Sequence, residues 1–300
     1  MPVRSLRQEE AVERAALLSV TSYDIAVDLT ALVDGPAFRA VSTVRFTATA
    51  GASTFVDCCA EVESATLNGT ALPPAADGRI PLPDLAEDNE LVVATVQADT
   101  THGRGVHRAV DPADSRVYLW TTFEPDEARF AWACFDQPDL KAPYTVRVST
   151  PSDWIVRGNG RAEQVEPGRW HLATTPPLAT YFVTIVAGPY HVVESEHDGI
   201  RLSFSAKQSL AARLDAQAEE LFAITGQCFD ELHRLFGVRY AFGDYHQAFV
   251  QEFNAGAMEN PGCVTIRDQL VFPGRPSRAE QVWRAALIAH EMAHQWFGDL

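Results

Sequence analysis

The sequence lacks any apolar run long enough to cross a membrane, and residues 1–20 lack the apolar core of a signal peptide. Basic residues are also few, since Lys and Arg number 24 against 40 Asp and Glu, which gives a formal net charge of −16. Such an acidic balance is poorly suited to binding nucleic acid or an anionic membrane. We therefore expect neither as a partner, and we expect a cytoplasmic protein.

Cysteine is scarce, with five in 300 residues, and the count is odd. Cys58 and Cys59 are adjacent, and no pair of cysteines has the spacing of a metal site. This usage is typical of a reducing compartment. Apolar residues make up 46% of the chain, which is enough for a packed core, and the length predicts about two domains.

Alternation of apolar and polar residues predicts short strands over the first two thirds of the chain. Every second residue of 23–29 is apolar, residues 44–48 repeat the pattern, and Asn68-Gly69 is the signature of a tight hairpin. A short capped helix is predicted at residues 5–18, and further strands at 91–96, 144–148 and 181–186. Residues 1–195 are therefore predicted to form an antiparallel β-sandwich or saddle-shaped sheet domain.

From residue 196 the pattern becomes helical, which predicts an α+β chain overall. A long helix is predicted at residues 210–236, with Gly226 as a point of interruption and Gly237 as its end. Strands near 247–250 and 263–267 follow. A second helix then starts at Ser277, where Ser277 and Glu280 form a capping box. Residues 196–300 are assigned to this second domain.

A His-Glu-x-x-His motif, from His290 to His294, lies on the second helix. Residues four apart lie on one helical face, about 6 Å apart along the axis, so two imidazoles can reach one zinc ion. Glu291 can then act as general base toward a water that the metal has made more acidic. The plain alternative is a helix with two structural histidines and a solvated carboxylate, because so short a motif also occurs by chance.

A second motif, Gly256-Ala257-Met258-Glu259-Asn260, lies some thirty residues upstream of His290. On its own it is typical of a strand that ends in a Pro-Gly turn, with Met258 in the core. Together the motifs resemble the aminopeptidase N family of gluzincin metallopeptidases, in its bacterial, actinobacterial-type members. The resemblance also rests on Thr122-Phe123-Glu124-Pro125, on Cys134-Phe135-Asp136-Gln137-Pro138 and on Gln295-Trp296-Phe297-Gly298-Asp299. Gln137 stands where the family more usually has glutamate.

The resemblance implies a zinc aminopeptidase that removes residues from peptides with a free N-terminus. His290 and His294 would bind one Zn²⁺ per site, and Glu291 would be the general base. Glu259, assisted by Glu124, would bind the α-amino group, because a carboxylate favours an ammonium.

The resemblance also implies the remaining contacts and the fold. Gly256 and Ala257 would offer backbone to the peptide, and Met258 would help line the pocket for its first side chain. The implied fold is a saddle-like β domain followed by a thermolysin-like α/β domain, in a protein that is monomeric when intact.

In this family the third zinc ligand is a glutamate about eighteen residues past the second histidine. A catalytic zinc site normally has three protein ligands. That position lies beyond residue 300, so we expect an N-terminal fragment with a truncated catalytic domain and no activity of its own. Two alternatives are the epoxide-hydrolase branch of the same superfamily and a non-catalytic interaction module. Glu124 and Ala257 favour the aminopeptidase over the first, and an intact Glu291 argues against the second.

Overall fold

The computed structural model describes residues 5–98 and 101–300, which divide into two compact units. Unit 1 is the described part of Met1–Arg108, Thr121–Asp153 and Ala162–Val183, and unit 2 is Ala109–Trp120, Trp154–Arg161 and Thr184–Leu300. Each unit therefore combines stretches that are distant in sequence. The predicted division at residues 195 and 196 stays a prediction, and residues 1–4 of the predicted first domain lie outside the described residues.

Three α-helices and nineteen strands lie within the described residues. The helices are α1 (Gln8–Leu17), α2 (Ala211–Phe236) and α3 (Arg278–His294). The strands are β1 (Leu18–Asp28), β2 (Phe38–Ala48), β3 (Thr54–Asp57), β4 (Glu61–Leu67), β5 (Thr70–Ala71), β6 (Arg79–Leu82), β7 (Asp88–Gln97), β8 (Gly105–Val110), β9 (Val117–Thr122), β10 (Tyr144–Ser149), β11 (Ile155–Gly158), β12 (Ala162–Glu166), β13 (Arg169–Leu172), β14 (Ile185–Gly188), β15 (His191–His197), β16 (Ile200–Ala206), β17 (Tyr245–Val250), β18 (Ala257–Met258) and β19 (Cys263–Arg267). Short 3₁₀ turns occupy Thr30–Val33, Ala128–Phe130, Thr180–Phe182, Gln208–Leu210 and Asp268–Leu270.

Eight strands of unit 1 form one sheet, in the order β12-β13-β10-β1-β2-β7-β4-β5. Tyr23, Ile25 and Val27 are buried and alternate with more exposed residues, as the sequence pattern of β1 predicts. Asn68 and Gly69 have φ of 51° and 80° and form the predicted left-handed turn between β4 and β5. Neighbouring strands pair antiparallel, except that β1 and β10 run parallel.

A buried ionic network in unit 1 surrounds the motif at residues 134–138. Arg14 Nη1 lies 2.8 Å from Asp57 Oδ2, and Arg129 Nε lies 2.9 Å from Asp136 Oδ2. Arg129 Nη1 lies 3.4 Å from Asp57 Oδ1, which joins the two pairs. Each of these side chains is at most 1% exposed. Two cations and two anions balance, which is the condition for burying charge without a large cost.

Gln137 accepts one hydrogen bond and donates another. It stands at the position where the aminopeptidase N family more usually has glutamate. Its Oε1 accepts from Arg14 Nε at 2.9 Å, and its Nε2 donates to the Ala11 carbonyl at 2.9 Å. A carboxylate could accept the first bond but could not donate the second. The glutamine therefore ties α1 to the motif at residues 134–138.

Unit 2 contains a five-stranded sheet in the order β15-β16-β17-β19-β18. Strands β16, β17 and β19 are parallel, while β15 and β18 pair antiparallel at the two edges. Helices α2 and α3 pack on one face of this sheet through a core that includes Phe204, Leu221, Phe249 and Ile288. The parallel arrangement with covering helices fits the predicted α/β character, and with the sheets of unit 1 it confirms the α+β class.

A second apolar cluster of unit 2 lies on the opposite face of the five-stranded sheet. It contains Ala248 and Val250, which alternate with Phe249 along β17 and so point away from the helices. Trp120 of β9 packs against Phe253 in this cluster, with ring centroids 5.0 Å apart. Strand β9 pairs with β14 in a four-stranded sheet of order β11-β14-β9-β8. Strand β17, which precedes the second motif, is thus buried on both faces.

Helix α2 runs without a break through Gly226, so the predicted interruption is wrong. A Cβ at position 226 would lie 2.8 Å from His197 Nδ1, which shows that the glycine lets β15 approach the helix. The predicted end of the helix is confirmed, because Gly237 follows Phe236 with a left-handed φ of 65°.

Two further predictions from the sequence need correction. The first helix spans Gln8–Leu17 rather than residues 5–18, since Leu18 already starts β1. The strand predicted at residues 181–186 is a 3₁₀ turn at Thr180–Phe182 followed by β14 from Ile185. The Thr180 hydroxyl donates to Asp136 Oδ1 at 2.8 Å, and this long-range bond outweighs the local β propensity. Across the described residues, no helix is both long and apolar enough to span a bilayer.

Candidate active site

Helix α3 carries the His-Glu-x-x-His motif and begins where the capping box predicts. Ser277 Oγ accepts from the Glu280 N–H at 3.3 Å, and Glu280 Oε2 accepts from the Ser277 N–H at 2.7 Å. Ile288 and Met292 are buried against the sheet, at 1% and 0% exposure. The helix is therefore held by one apolar face, and His290 and His294 lie on a different, more exposed face.

The two imidazoles converge as their spacing predicts. His290 Nε2 and His294 Nε2 are 3.2 Å apart, and the ring planes are nearly perpendicular at 85°. Two nitrogens that bind one tetrahedral zinc at about 2.0–2.1 Å lie roughly 3.3 Å from each other. The separation therefore matches the one that a shared zinc ion requires.

A backbone carbonyl fixes the tautomer of His294. Its Nδ1 lies 3.1 Å from the Phe297 carbonyl oxygen, which can only accept a hydrogen bond. Nδ1 therefore carries the proton, and Nε2 presents its lone pair on the side of His290 Nε2, where a metal would replace the contact between the two nitrogens.

Glu291 lies between the histidines in sequence but is buried, with 4% exposure. Burial, and then the nearby charge of Glu259, raise the pKa of Glu291 to about 8. A carboxylate with a raised pKa is a stronger base than a solvated one. Gln295, directly after His294, donates from its Nε2 to the Glu259 carbonyl at 2.8 Å, so the two predicted motifs meet in unit 2.

The segment with Glu259 follows strand β18 at the edge of the five-stranded sheet. Ala257 pairs with Ile266 of β19, and Met258 pairs with Thr265. Ala257, Met258 and Glu259 are half-buried. A Cβ at position 256 would meet only Leu287 Cδ1, at 3.6 Å, so the protein itself leaves space beside Gly256.

Glu124 lies in unit 1, in the loop after β9, and its side chain is exposed. Its backbone N–H donates to Glu127 Oε2 at 3.1 Å, which closes a turn before the 3₁₀ segment Ala128–Phe130. The role of Glu124 in binding an amine stays a prediction.

One residue that the sequence analysis left without a role belongs to the site. Gln295, directly after His294, is 1% exposed and contacts the Glu259 segment through both polar atoms of its amide. The sequence offered one indication of this role, because Gln295 directly follows His294, a candidate metal ligand. Among the residues that the structure describes, no three His, Cys, Asp or Glu side chains lie close enough to hold a metal ion together. The third ligand therefore stays a prediction.

Two histidines and a buried carboxylate on one helix, beside an edge strand, form a pattern typical of the metallohydrolase class. Comparison with known families agrees. The peptidase family M1 domain matches residues 221–300, and the peptidase M1 N-terminal domain matches residues 100–182. The chain belongs to the peptidase M1 family.

Individual relatives agree with this membership. The chain is 46% identical to aminopeptidase N of Streptomyces lividans, over 100% of this chain and 36% of the relative. It is 31% identical to endoplasmic reticulum aminopeptidase 2 of Homo sapiens, over 62% of this chain and 20% of the relative. It is 27% identical to aminopeptidase N of Mus musculus, over 78% of this chain and 27% of the relative. The chain thus spans about a fifth to a third of the length of these relatives.

Proposed function

We propose that this chain is part of a zinc-dependent aminopeptidase that removes N-terminal residues from peptides. The observation that carries the proposal is the meeting of two carboxylates and two convergent imidazoles in unit 2. His290 Nε2 and His294 Nε2 are 3.2 Å apart, and Glu259 is close enough to raise the pKa of buried Glu291. The relatives named aminopeptidase support the same reaction.

His290 and His294 would hold the metal, and their fit rests on the imidazole separation and on the fixed tautomer of His294. Bound zinc would make a water molecule more acidic and would polarise the scissile carbonyl. A third ligand remains part of the proposal, and we propose the glutamate that the family resemblance implies beyond residue 300. On that proposal the 300 residues alone are inactive.

Glu291 would accept the proton of the attacking water and would then deliver it to the departing amine. Its burial supports this role, because a carboxylate that loses solvation accepts a proton more readily. A divalent cation at the two imidazoles would oppose this effect and lower the pKa of Glu291. The two influences together would bring its pKa closer to neutral pH.

Glu259 would bind the free α-amino group of the peptide, with Glu124 as a proposed second carboxylate. An ammonium offers each carboxylate a charge-assisted hydrogen bond, whereas an internal peptide bond leaves the carboxylate without a partner. The position of Glu259 beside β18 supports this role, since Gly256 and Ala257 would offer backbone to the peptide there. Met258 would line the pocket for the first side chain. We further propose a cytoplasmic, monomeric protein that takes peptides with a free N-terminus as substrates and binds neither nucleic acid nor membrane.

An assay of the full-length protein tests the proposal. A free aminoacyl chromogenic substrate is compared with its N-acetylated form and with a lipid epoxide. We expect turnover of the free amine alone, with kcat about 10²- to 10⁴-fold lower in Glu291→Gln. Glu219→Gln, which changes an exposed carboxylate of α2, is the matched control and retains wild-type kcat.

Other outcomes assign other functions. Turnover of the epoxide without the aminoacyl substrate would support the epoxide-hydrolase branch. Zinc binding without turnover of any of the three compounds would support an interaction module. Equal rates for the free and acetylated substrates would exclude an exopeptidase that recognises the amino terminus.

A further inference from the structure

Gln295 joins the metal-binding helix to the segment that carries Glu259. Its Nε2 donates to the Glu259 carbonyl at 2.8 Å, and its Oε1 accepts from the Gly262 N–H at 3.4 Å. One side chain thus holds both ends of the four residues 259–262. Gln295 directly follows His294 in sequence, so this contact links the backbone of Glu259 to a candidate metal ligand.

The far end of this segment is held by several contacts besides the one to Gln295. The Asn260 carbonyl accepts from the Cys263 N–H at 3.0 Å, and the Gly262 carbonyl accepts from the His246 N–H at 2.9 Å. Gly262 has a left-handed φ of 76°, and a Cβ there would lie 2.6 Å from the Asn159 carbonyl oxygen. Asn159 Nδ2 donates to the Pro261 carbonyl at 2.9 Å. This packing holds residues 260–263 against β17 and leaves them little room to shift.

The near end is held less well by the sheet. Strand β18 contains only two residues, and it lies at the sheet edge with β19 as its neighbour on one side. Glu259 comes immediately after this short strand. The bond from Gln295 ties the Glu259 backbone to the residue that directly follows α3, and it is short and partly buried. This hydrogen bond resists displacement because breaking it leaves the amide of the buried Gln295 side chain without its partner.

We propose that Gln295 is a positioning residue that sets the distance between the Glu259 carboxylate and the two histidines. It would thereby fix where the substrate ammonium lies relative to the scissile bond. This inference rests on the proposed aminopeptidase function. It goes beyond that function because it assigns amine recognition partly to a residue that touches no substrate. A small misplacement of a binding group is enough to weaken productive binding substantially.

The test uses Gln295→Met in the full-length protein, since methionine has similar length but no amide. We expect KM for a free aminoacyl substrate to rise about tenfold, while kcat changes less. The matched control is Gln217→Met, which also removes contacts of both amide atoms elsewhere in unit 2. Gln217 Nε2 donates to the Phe272 carbonyl at 3.0 Å, and Gln217 Oε1 accepts from Arg284 Nη1 of α3. That control is expected to keep the wild-type KM.

A double-mutant cycle with Glu259→Gln distinguishes positioning from general stability. If Gln295 acts through Glu259, Gln295→Met raises KM less than about twofold once the carboxylate is gone. An equal increase in both backgrounds would overturn the proposal. A readout without turnover is the inhibition constant of 3-methylbutylamine, which has an amine and no scissile bond. We expect it to rise about tenfold in Gln295→Met, with the constant for 3-methyl-1-butanol unchanged.

A second variant covers the case in which Gln295→Met does not fold. Gln295→Glu keeps an acceptor for the Gly262 N–H, but its carboxylate cannot donate to the Glu259 carbonyl. Wild-type KM in Gln295→Glu would overturn the proposal, and so would loss of folding in both variants when Gln217→Met folds. Failure of the proposed function is distinct, because the wild-type protein would then turn over no aminoacyl substrate.

Discussion

Asp57 is the carboxylate of unit 1 that joins the two buried arginines of the ionic network. Its Oδ2 accepts from Arg14 Nη1 at 2.8 Å and from the Asp136 N–H at 3.1 Å. Its Oδ1 lies 3.4 Å from Arg129 Nη1, and the side chain is 0% exposed. Replacing it with asparagine preserves the shape but leaves two buried guanidinium groups facing one carboxylate.

The expected loss follows from this imbalance. Removing one partner of a buried ion pair costs about 3–5 kcal/mol, because the remaining charge stays desolvated. The matched control is Asp24→Asn, since Asp24 pairs with Arg147 on the surface, where the side chains are 27% and 44% exposed. An exposed pair contributes at most about 1 kcal/mol, so the two variants should differ by at least about 2 kcal/mol.

Urea unfolding followed by tryptophan fluorescence measures the difference, since Trp132 of unit 1 is fully buried. A paired change, Arg14→Met with Asp57→Leu, removes one cation and one anion together. It should be less destabilising than Asp57→Asn alone, because the charges of Arg129 and Asp136 still balance. Similar midpoints for Asp57→Asn and Asp24→Asn would refute the view that charge balance holds this network together.

Three further predictions concern unit 2. In protein stripped of metal, the raised pKa of Glu291 means that the folded state binds a proton more tightly than the unfolded state does. The free energy of unfolding should therefore fall as pH rises from about 4.5 to about 8. Glu291→Gln should flatten this fall in thermal melts taken across that range, and an unchanged slope would contradict the assigned burial. His290→Ala should lower zinc affinity, measured by competition with a chelator. The loss should exceed the roughly 10- to 100-fold typical of losing a group that only orients a metal ligand. His191→Ala, which changes a histidine paired with Asp215, is its control. Gly226→Ala should destabilise the folded protein by about 1–3 kcal/mol despite the helix preference for alanine, because the new Cβ meets His197. A higher melting temperature would contradict this contact.

Local patterns predicted the elements that depend on neighbours in sequence. The alternation in β1, the Asn68-Gly69 turn and the capping box at Ser277 each rest on residues a few positions apart, and the structure contains all three. The convergence of His290 and His294 belongs to the same group, since helical spacing alone brings the imidazoles together.

Features that depend on distant residues could not be predicted in this way. The reason for a glycine at position 226, inside the continuous helix α2, is the close approach of His197 of β15. The 3₁₀ turn at Thr180 likewise contacts the distant Asp136. The parallel pairing of β1 with β10 also joins segments more than a hundred residues apart. The contact between Gln295 and Glu259 needed the fold as well, because the sequence shows both motifs but no hydrogen bond between them.

The bond from His294 Nδ1 to the Phe297 carbonyl has a practical consequence for spectroscopy. Because the acceptor belongs to the backbone, the tautomer of His294 does not depend on which side chain occupies position 297. Phe297 is itself 68% exposed. An environment-sensitive fluorophore could therefore replace its ring, one turn past the proposed metal site, and report ligand arrival without altering the imidazole that holds the metal.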